Sequence, residues 1–289
     1  MHLSIDYRTI YQYVAPVSFS PHTIRIFPRA ELNTRVLSME FSTNEGTSVR
    51  YRRDLFDNVA AHCFYPDSAN LELRIFLSAE LEITETNPFD FLLDPTALEL
   101  PLSYAARQQE FLAPFLRQNP PDAALELPGW ALPRFEGPTV DILTDLLASF
   151  HQNIQYEERL EGEARPPKET IHLRRGACRD VALLFQLSLR RAGIANRLVS
   201  GYLVEFDTAP GSRTAQGTFH AWNEVCLPGA GWIALDPTNN VFGGHNYIAT
   251  AVGLTSDDIA PVSGSYFGDT HVPSSMHFNL SLQQGDDSP

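Results

Sequence analysis

The first third of the chain alternates apolar and polar positions in short runs, as β-strands do. From residue 1 to about residue 88, runs rich in Tyr, Ile, Val, Phe and Thr are separated by turn residues such as TNEG at 43–46 and PDSAN at 66–70. HTIRIFPR at 22–29 has the alternation of a half-buried strand, and LELRIFLSAELEI at 71–83 is long enough to bend or to carry a bulge. The pattern predicts an antiparallel β-sandwich over residues 1–90.

A helical period replaces this pattern further along the chain. YAARQQEFLAPFLRQ at 104–118 and TVDILTDLLASFHQNI at 139–154 are predicted helices, and a Pro-rich passage at 127–138 separates them. The run VALLFQLSLRR, just after Cys178, is apolar around most of its axis. It predicts a central buried helix with Gly193 as a left-handed cap.

Three strand-like runs follow the central helix. They are NRLVSGYLVEF at 196–206, TFHAWNEVCL at 218–227 and GWIALDP at 231–237, and the last two are joined through PGAG as a hairpin. We therefore expect a second domain of α+β class over residues 91–289.

Composition restricts the partners and the compartment. The 35 acidic and 21 basic residues give a net charge of −14, which repels the phosphate backbone of nucleic acids. No segment approaches the roughly 18 uncharged apolar residues of a membrane helix, and MHLSIDYRTIYQY lacks the features of a secretory signal. The three cysteines form no CxxC pair, which favours reduced thiols. We expect a cytoplasmic protein that binds neither nucleic acid nor membrane.

Cys178 stands at the start of the predicted central helix. It follows the small residues Gly176 and Ala177, and three arginines lie within four residues of it. A helix start offers unpaired backbone N–H groups and the positive end of the helix dipole, which favour a thiolate over a thiol. The position suits a nucleophile, and the alternative is a buried structural thiol.

His220 and Asp236 supply the two partners that a nucleophilic thiol needs. A thiolate attacks an amide carbonyl well only if an imidazole takes its proton and later gives it to the leaving amine, while a third group orients the imidazole. The two residues lie on the two strands of the predicted hairpin. The alternatives are a strand histidine with satisfied partners and a turn-forming Asp before Pro237.

Strand pairing sets a geometric condition on these two residues. His220 and Asp236 share a face only if the numbers of paired residues add to an even number, because opposed residues share a face and neighbours alternate. A symmetric two- or four-residue loop centred on PGAG gives an odd sum and points the side chains apart. The arrangement therefore requires a three-residue loop or a bulge, with Gly229 or Gly231 left-handed.

Three segments are GACRDVALLF, RLVSGYL and FHAWNEVCLPGAGWIALDPTN. Together they resemble the core of the bacterial transglutaminase-like superfamily, whose members share a papain-like Cys-His-Asp arrangement. YRTIYQYVAPVSFSPHTIRIFPR resembles the β-rich N-terminal domain that accompanies this core in bacteria, and SDDIAPVSGSYFG is similar to the segment that follows it. The resemblance implies an α+β fold with Cys178 as nucleophile, His220 as general base and acid, and Asp236 as the orienting carboxylate.

The expected function is that of a thiol enzyme without cofactor or metal. An acyl-enzyme on Cys178, formed from a peptide or glutamine amide, would be resolved by water, as in a protease, amidase or deamidase, or by an amine, as in transamidation. The substrate would be a peptide or protein. The alternative is a catalytically idle peptide-binding or scaffold protein that uses the same cleft. A zinc site is not expected, because its candidate ligands lack the close pairs of structural zinc: Cys178, His220, Cys226 and His245.

The roles of other polar residues near the predicted site stay open. The backbone N–H of Cys178 is one suitable oxyanion donor. A second donor is sought among Gln152, Asn153, Gln155, Tyr156 and Trp222, although Trp222 and Trp232 also fit a core and a cleft wall. Asp180 is interpreted as a helix-start or buried hydrogen-bonding residue, because a carboxylate aimed at Cys178 would oppose thiolate formation.

Overall fold

The computed structural model describes residues 1–117, 132, 134–206, 214–268 and 272–285. Half of the Pro-rich passage predicted at 127–138, namely 127–131 and 133, lies outside these residues. The N-terminal part holds the strands β1 (His2–Phe19), β2 (His22–Ile24), β3 (Thr34–Thr43), β4 (Ser48–Arg53), β5 (Val59–Phe64) and β6 (Asn70–Ile83).

The middle of the chain contains the helices. A 3₁₀ turn (Pro95–Ala97) is followed by β7 (Glu99–Leu100), α1 (Ala106–Leu116), β8 (Gly137–Pro138), α2 (Thr139–Asn153), β9 (Gln155–Tyr156), α3 (Pro167–Leu173), β10 (Arg175–Gly176) and α4 (Cys178–Arg191). The remaining strands are β11 (Asn196–Phe206), β12 (Thr214–Leu227), β13 (Gly231–Asp236), β14 (Val241–Phe242), β15 (Tyr247–Gly253), β16 (Val262–Ser263), β17 (Tyr266–Phe267) and β18 (Ser274–Gly285).

Two antiparallel sheets pack on each other in the N-terminal part. One contains β3, β6, β1 and β18, and the other has the order β16-β2-β5-β4. Their facing side chains form one apolar core, to which β1 contributes Ile5, β6 contributes Ile75 and β5 contributes Cys63, all fully buried. Each such aliphatic side chain removed from water contributes about 1.5–3 kcal/mol. The alternating sequence pattern therefore produced the expected sandwich.

The strand predicted at 22–29 is shorter than its pattern suggested, because pairing in the sheet ends at Ile24. Beyond it the backbone N–H of Arg25 donates to the Pro261 carbonyl, and that of Arg29 donates to the Ala249 carbonyl. The alternation continues after Ile24 because the segment is still half-buried. Its partners there belong to the C-terminal half of the chain, so it leaves the sheet.

The last described strand joins the two parts of the chain. β18 pairs with β1 from His2 opposite Gly285 to Tyr13 opposite Ser274, and it touches β12 through Thr214 and Ala215. The N-terminal sheet and the sheet that carries β11–β15 are therefore continuous. The architecture confirms the α+β class, while the division near residue 90 stays a prediction.

Helix α4 lies at the centre of the C-terminal part, as its apolar run predicts. Phe185 is fully buried, and its ring meets that of Phe150 from α2 edge-on at 4.9 Å. The helix ends at Arg191, and Gly193 just beyond it has φ +73°, so that Ile194 N–H donates to the Leu189 carbonyl at 2.9 Å. This is the predicted left-handed cap. Among the described residues, no helix has the length and apolarity needed to cross a membrane.

Candidate active site

Cys178 is the first residue of α4, as predicted. The preceding Ala177 is extended, with φ −72° and ψ 165°, and its N–H donates to the Asp180 carboxylate at 2.9 Å. Asp180 thus satisfies a backbone group that the helix cannot pair by itself. The interpretation of Asp180 as a helix-start residue is confirmed. Cys178, half-buried, is held where the helix dipole favours an anion.

The fully buried Asp180 carboxylate also attaches the preceding segment to the helix start. Its Oδ1 accepts hydrogen bonds from Arg159 Nη2 and from the Arg165 backbone N–H, both at 2.8 Å. Arg179 donates to the carbonyls of Arg159, at 2.8 Å, and Glu161, at 2.7 Å. Arg159 and Arg165 thus bind the Asp180 carboxylate, and Arg179 binds carbonyls of the same segment. These contacts fix residues 157–165 beside Cys178.

The hairpin between β12 and β13 has the odd loop that the predicted arrangement of His220 and Asp236 required. Leu227 pairs with Gly231, so three residues form the turn. Gly229 and Gly231 are both left-handed, with φ of +89° and +78°. The structure confirms both expectations about this turn. A Cβ on Gly229 would lie 2.5 Å from the backbone nitrogen of Asp94, so only glycine fits there.

This register places His220 and Asp236 on one face of the sheet. His220 Nε2 donates to Asp236 Oδ2 at 2.8 Å, and both side chains are buried. In the continued register Asp236 lies opposite Trp222, two residues beyond His220. The Trp222 ring stacks on the imidazole, with 6.3 Å between centroids and 17° between planes. The indole therefore shields the His–Asp pair.

Asp236 receives five hydrogen bonds. Oδ1 accepts from the N–H groups of Thr238 (2.8 Å) and Asn239 (3.2 Å), and Oδ2 accepts from Asn239 Nδ2 (2.6 Å), Tyr247 Oη (2.7 Å) and His220 Nε2. Burial opposes ionisation of the carboxyl, but these donors and the His220 charge hold its pKa below its ordinary value. Asp236 is therefore held as a carboxylate.

The sequence reasoning missed Tyr247 and Asn239. The run DPTNN offered a signal for Asn239, since an Asp followed by polar residues commonly closes a turn with its own backbone. Tyr247 lies on a strand 11 residues after Asp236, and no local pattern indicates its contact.

Cys178 and His220 favour each other's charged forms. Burial disfavours the thiolate, but the hydrogen bond and charge of His220, the Ala221 N–H and Arg179 together lower the pKa of Cys178. Burial likewise disfavours the imidazolium, yet Asp236 and Cys178 raise the pKa of His220 to about 10. Because Nε2 is bound to Asp236, Nδ1 is the ring nitrogen available to the thiol. The arrangement fits a thiolate–imidazolium pair oriented by a carboxylate.

Tyr156 is the oxyanion candidate that the structure brings toward Cys178. It pairs with Gly176, two residues before the cysteine, and burial and the Cys178 charge both raise the pKa of its phenol. Gln155 and Tyr156 line a cavity of about 110 Å³ together with His151, Ile154, Val181 and Thr238.

The other candidates lie elsewhere or are engaged. Asn153 donates to the Ser149 carbonyl at 2.8 Å at the end of α2, and Gln152 is exposed. Trp222 is 1% exposed in an apolar cluster. The guanidinium of Arg197 lies over the ring of Trp232 at 4.2 Å, so Trp232 is committed to packing on the surface of the sheet.

Comparison with protein families gives two matches. Residues 134–237 match the transglutaminase-like superfamily, and residues 3–82 match the bacterial transglutaminase-like N-terminal region. The first match contains Cys178, His220 and Asp236. The second covers most of the N-terminal sandwich.

Relatives of similar length align with most of this chain. An uncharacterized protein of Mycobacterium leprae is 26% identical over 266 residues, covering 92% of this chain and 93% of the relative. One from Mycobacterium tuberculosis strain H37Rv is 27% identical over 271 residues, covering 90% and 86%. A crystal structure from Cytophaga hutchinsonii, named as a candidate cysteine protease, aligns with a TM-score of 0.69 at 18% identity, covering 100% of this chain and 93% of that one. The fold is therefore shared with that structure.

Proposed function

This chain belongs to the transglutaminase-like superfamily, with its core at 134–237 and the bacterial N-terminal region at 3–82, and we propose that it is a thiol enzyme acting on amides. The nucleophile is Cys178, and the amide is that of a peptide bond or a glutamine side chain. The observation that carries the proposal is the 2.8 Å contact of Asp236 with His220, whose other nitrogen is available to the thiol at the start of α4.

Acylation begins from the thiolate–imidazolium pair. The Cys178 sulfur attacks the amide carbonyl carbon, a C–S bond forms, and the carbonyl electrons move to oxygen. The Cys178 backbone N–H at the helix start and the Tyr156 hydroxyl are the donors that we assign to this oxyanion. When the tetrahedral species collapses, the C–N bond breaks and His220 Nδ1–H gives its proton to the leaving nitrogen.

Deacylation reverses the proton movements. His220, now neutral, takes a proton from water or an amine as that nucleophile attacks the thioester carbon. The C–S bond breaks and the thiolate returns beside the imidazolium. Water gives a carboxylic acid, so the net reaction is hydrolysis or deamidation, whereas an amine gives a new amide. Asp236 keeps the ring orientation through both steps, because five donors fix its own position.

The test is covalent trapping followed by intact-mass analysis. The purified protein is incubated with a short peptide that carries an electrophilic analogue of the scissile amide, with and without prior alkylation by iodoacetamide. We expect one adduct, which peptide mapping places on Cys178. Prior alkylation should prevent it.

Three variants make the test specific. Cys178→Ala and His220→Ala should remove the adduct, whereas Cys226→Ala, which deletes a half-buried thiol elsewhere, should keep it. Binding of the peptide without any adduct in the unmodified protein would contradict the proposed enzymatic function. It would favour the catalytically idle peptide-binding or scaffold protein, called here the docking protein. An adduct that persists in Cys178→Ala would contradict the assignment of the nucleophile.

A further inference from the structure

A single row of side chains crosses the sheet from the candidate catalytic site to the N-terminal region. Asp236 lies opposite Trp222 in the continued register, Trp222 pairs with Val199, and Val199 pairs with Val252. Trp222, Val199 and Val252 are 1% exposed or less, and they pack together in one apolar cluster. The row reaches β15, the strand that also presents Tyr247 to Asp236.

The row ends on Asn58, which belongs to the N-terminal region. Its side chain donates to the Val252 carbonyl at 2.7 Å and accepts from the Val252 N–H at 2.9 Å, so it pairs with β15 as a neighbouring strand would. Asn58 is fully buried, although 194 residues separate it from Val252. A buried amide with both functions paired is costly to remove, because it leaves two backbone groups without partners.

Neighbouring residues fix the conformation of this turn. Asp54 accepts hydrogen bonds from the N–H groups of Phe56 (2.9 Å) and Asn58 (3.0 Å). Arg29 donates to Asn58 Oδ1 at 2.7 Å, and its own backbone N–H bonds the Ala249 carbonyl of β15 at 2.8 Å. The segment 54–58, called here the 54–58 turn, is therefore attached to β15 directly at Val252 and, through Arg29, at Ala249.

Phe56, at the middle of the 54–58 turn, packs against the same apolar cluster that contains Trp222. Tyr247 packs there too, and its ring meets that of Trp222 edge-on at 5.2 Å. Trp222 stacks on His220, and Tyr247 donates to Asp236. Trp222 and Tyr247, which both contact the His–Asp pair, thus belong to or pack against the same cluster that Phe56 of the N-terminal region contacts.

We propose that the 54–58 turn is a positioning element of the active site, in which Asn58 fixes β15 and Phe56 supports Trp222 and Tyr247 against His220 and Asp236. The N-terminal region is then a working part of the catalytic centre. This inference rests on the proposed function, because it assumes that the His–Asp pair activates Cys178. Small displacements of such a pair have large effects on reactivity.

The experiment measures the reactivity of Cys178 as a function of pH. Iodoacetamide alkylation is monitored by peptide mapping from pH 5 to pH 10 in the unmodified protein and in Phe56→Ala, Phe56→Leu and Asn58→Ala. The groups that face the thiol are His220 from β12, Arg179 from α4 and Tyr156 from β9, and none of them is changed by these variants.

Phe56→Ala should slow alkylation of Cys178 at pH 6 by about ten-fold, as expected if the pKa of the thiol rises by about one unit and the thiolate fraction falls accordingly. Phe56→Leu keeps apolar bulk and should restore most of the rate. Asn58→Ala should act in the same direction, and the Phe56 pair decides the question if Asn58→Ala does not fold. Ile75→Val, a mild truncation in the sandwich core, is the control for general destabilisation. It should lower the Tm and leave the pH profile unchanged.

Unchanged profiles in both Phe56→Ala and Asn58→Ala would overturn the inference. A shift of equal size in Ile75→Val would overturn it as well, because the effect would then follow from destabilisation alone. If Cys178 of the unmodified protein titrates as an ordinary thiol, the proposed function itself fails. Failure of the positioning role alone leaves that reactivity intact, so the two failures are distinguishable.

Discussion

Asp236 and His220 meet diagonally across two antiparallel strands, with 2.8 Å between Oδ2 and Nε2. Directly opposed side chains on a sheet lie closest, yet here the position opposite Asp236 holds Trp222. The indole of Trp222 therefore covers one face of the imidazole. The indole thus helps to keep water from the His220–Asp236 hydrogen bond, which is stronger where the local dielectric constant is low.

The turn that creates this register should respond differently at its two glycines. Both are left-handed, and an alanine in that conformation costs about 1–2 kcal/mol. A Cβ at Gly231 meets nothing within 4 Å, whereas a Cβ at Gly229 meets the backbone of Leu92 and Asp94 below 3 Å. Gly229→Ala should therefore lower the free energy of unfolding clearly more than Gly231→Ala, as measured by urea denaturation. Equal losses would show that the segment 92–94 moves away freely.

Asp236→Asn should remove the activation of Cys178. The His220 imidazolium loses its charged partner, and burial then lowers the pKa of that ring. Alkylation of Cys178 at pH 6 should fall at least about ten-fold, because a rise of about one unit in the pKa of the thiol lowers the thiolate fraction by that factor. Tyr247→Phe is the matched comparison, because it deletes one donor to Oδ2 and keeps the carboxylate. It should have the smaller effect, and a larger one would assign the orienting role to Tyr247.

Asp180→Ala should destabilise the fold and not only the site. The carboxylate is fully buried and paired with Arg159 at 2.8 Å, and breaking such a pair costs about 3 kcal/mol or more. Glu169→Gln is the control, since its 3.6 Å pair with Arg165 is half exposed and should contribute at most about 1 kcal/mol. Urea denaturation of both variants gives the comparison. A loss for Asp180→Ala no larger than the control would mean that segment 157–165 is held by other contacts.

Local pattern was enough to predict α4, which carries Cys178, and β11, which pairs with the strand of His220. The run 196–206 became β11 with the predicted bounds, and α4 begins at Cys178. Both are buried segments whose side-chain period matches their conformation over many residues. The odd turn was predicted only by assuming that His220 and Asp236 act together, because a loop with an even number of residues would point their side chains apart.

Contacts between distant parts of the chain were not predictable in the same way. β18 pairs with β1 across the whole length of the protein, and Asn58 reaches Val252. A polar residue such as Asn58 reads as a turn residue, because its partners are backbone groups that every sequence offers. Tyr247 likewise reads as an ordinary strand residue, since its contact with Asp236 depends on how β15 lies beside β11.

The three thiols should react in a fixed order. Burial raises the pKa of Cys63 to about 11. Burial also raises the pKa of Cys226, although the charge of Arg197 opposes this. Burial acts in the same direction on Cys178, but His220 outweighs it and lowers the pKa of that thiol. Iodoacetamide at pH 6 should therefore modify Cys178 first, because the thiolate is the reactive form. His220→Ala should abolish this preference without unfolding the protein. Equal rates for the three cysteines, unchanged by that variant, would favour the docking protein.

The charge of His220 should make the stability of the protein depend on pH in one direction. The folded pKa of about 10 lies above the ordinary value of 6.5, so the folded state binds the proton more tightly than the unfolded state does. The resulting stabilisation is complete below about pH 6.5 and is lost as the pH rises toward about 10. His220→Gln lacks the titrating group. Cys178 contributes in the opposite direction, because its lowered folded pKa adds stability as the pH rises, and His220→Gln removes that contribution as well. The comparison is therefore made in the Cys178→Ser background, where Asp236 alone holds the imidazolium. The difference in free energy of unfolding between Cys178→Ser and the double variant Cys178→Ser, His220→Gln, measured by urea denaturation, should shrink as the pH rises above about 6.5. A difference that stays constant from pH 6 to pH 10 would mean that the imidazole beside Asp236 is neutral in the folded protein, and the charged His220–Asp236 pair would have to be abandoned.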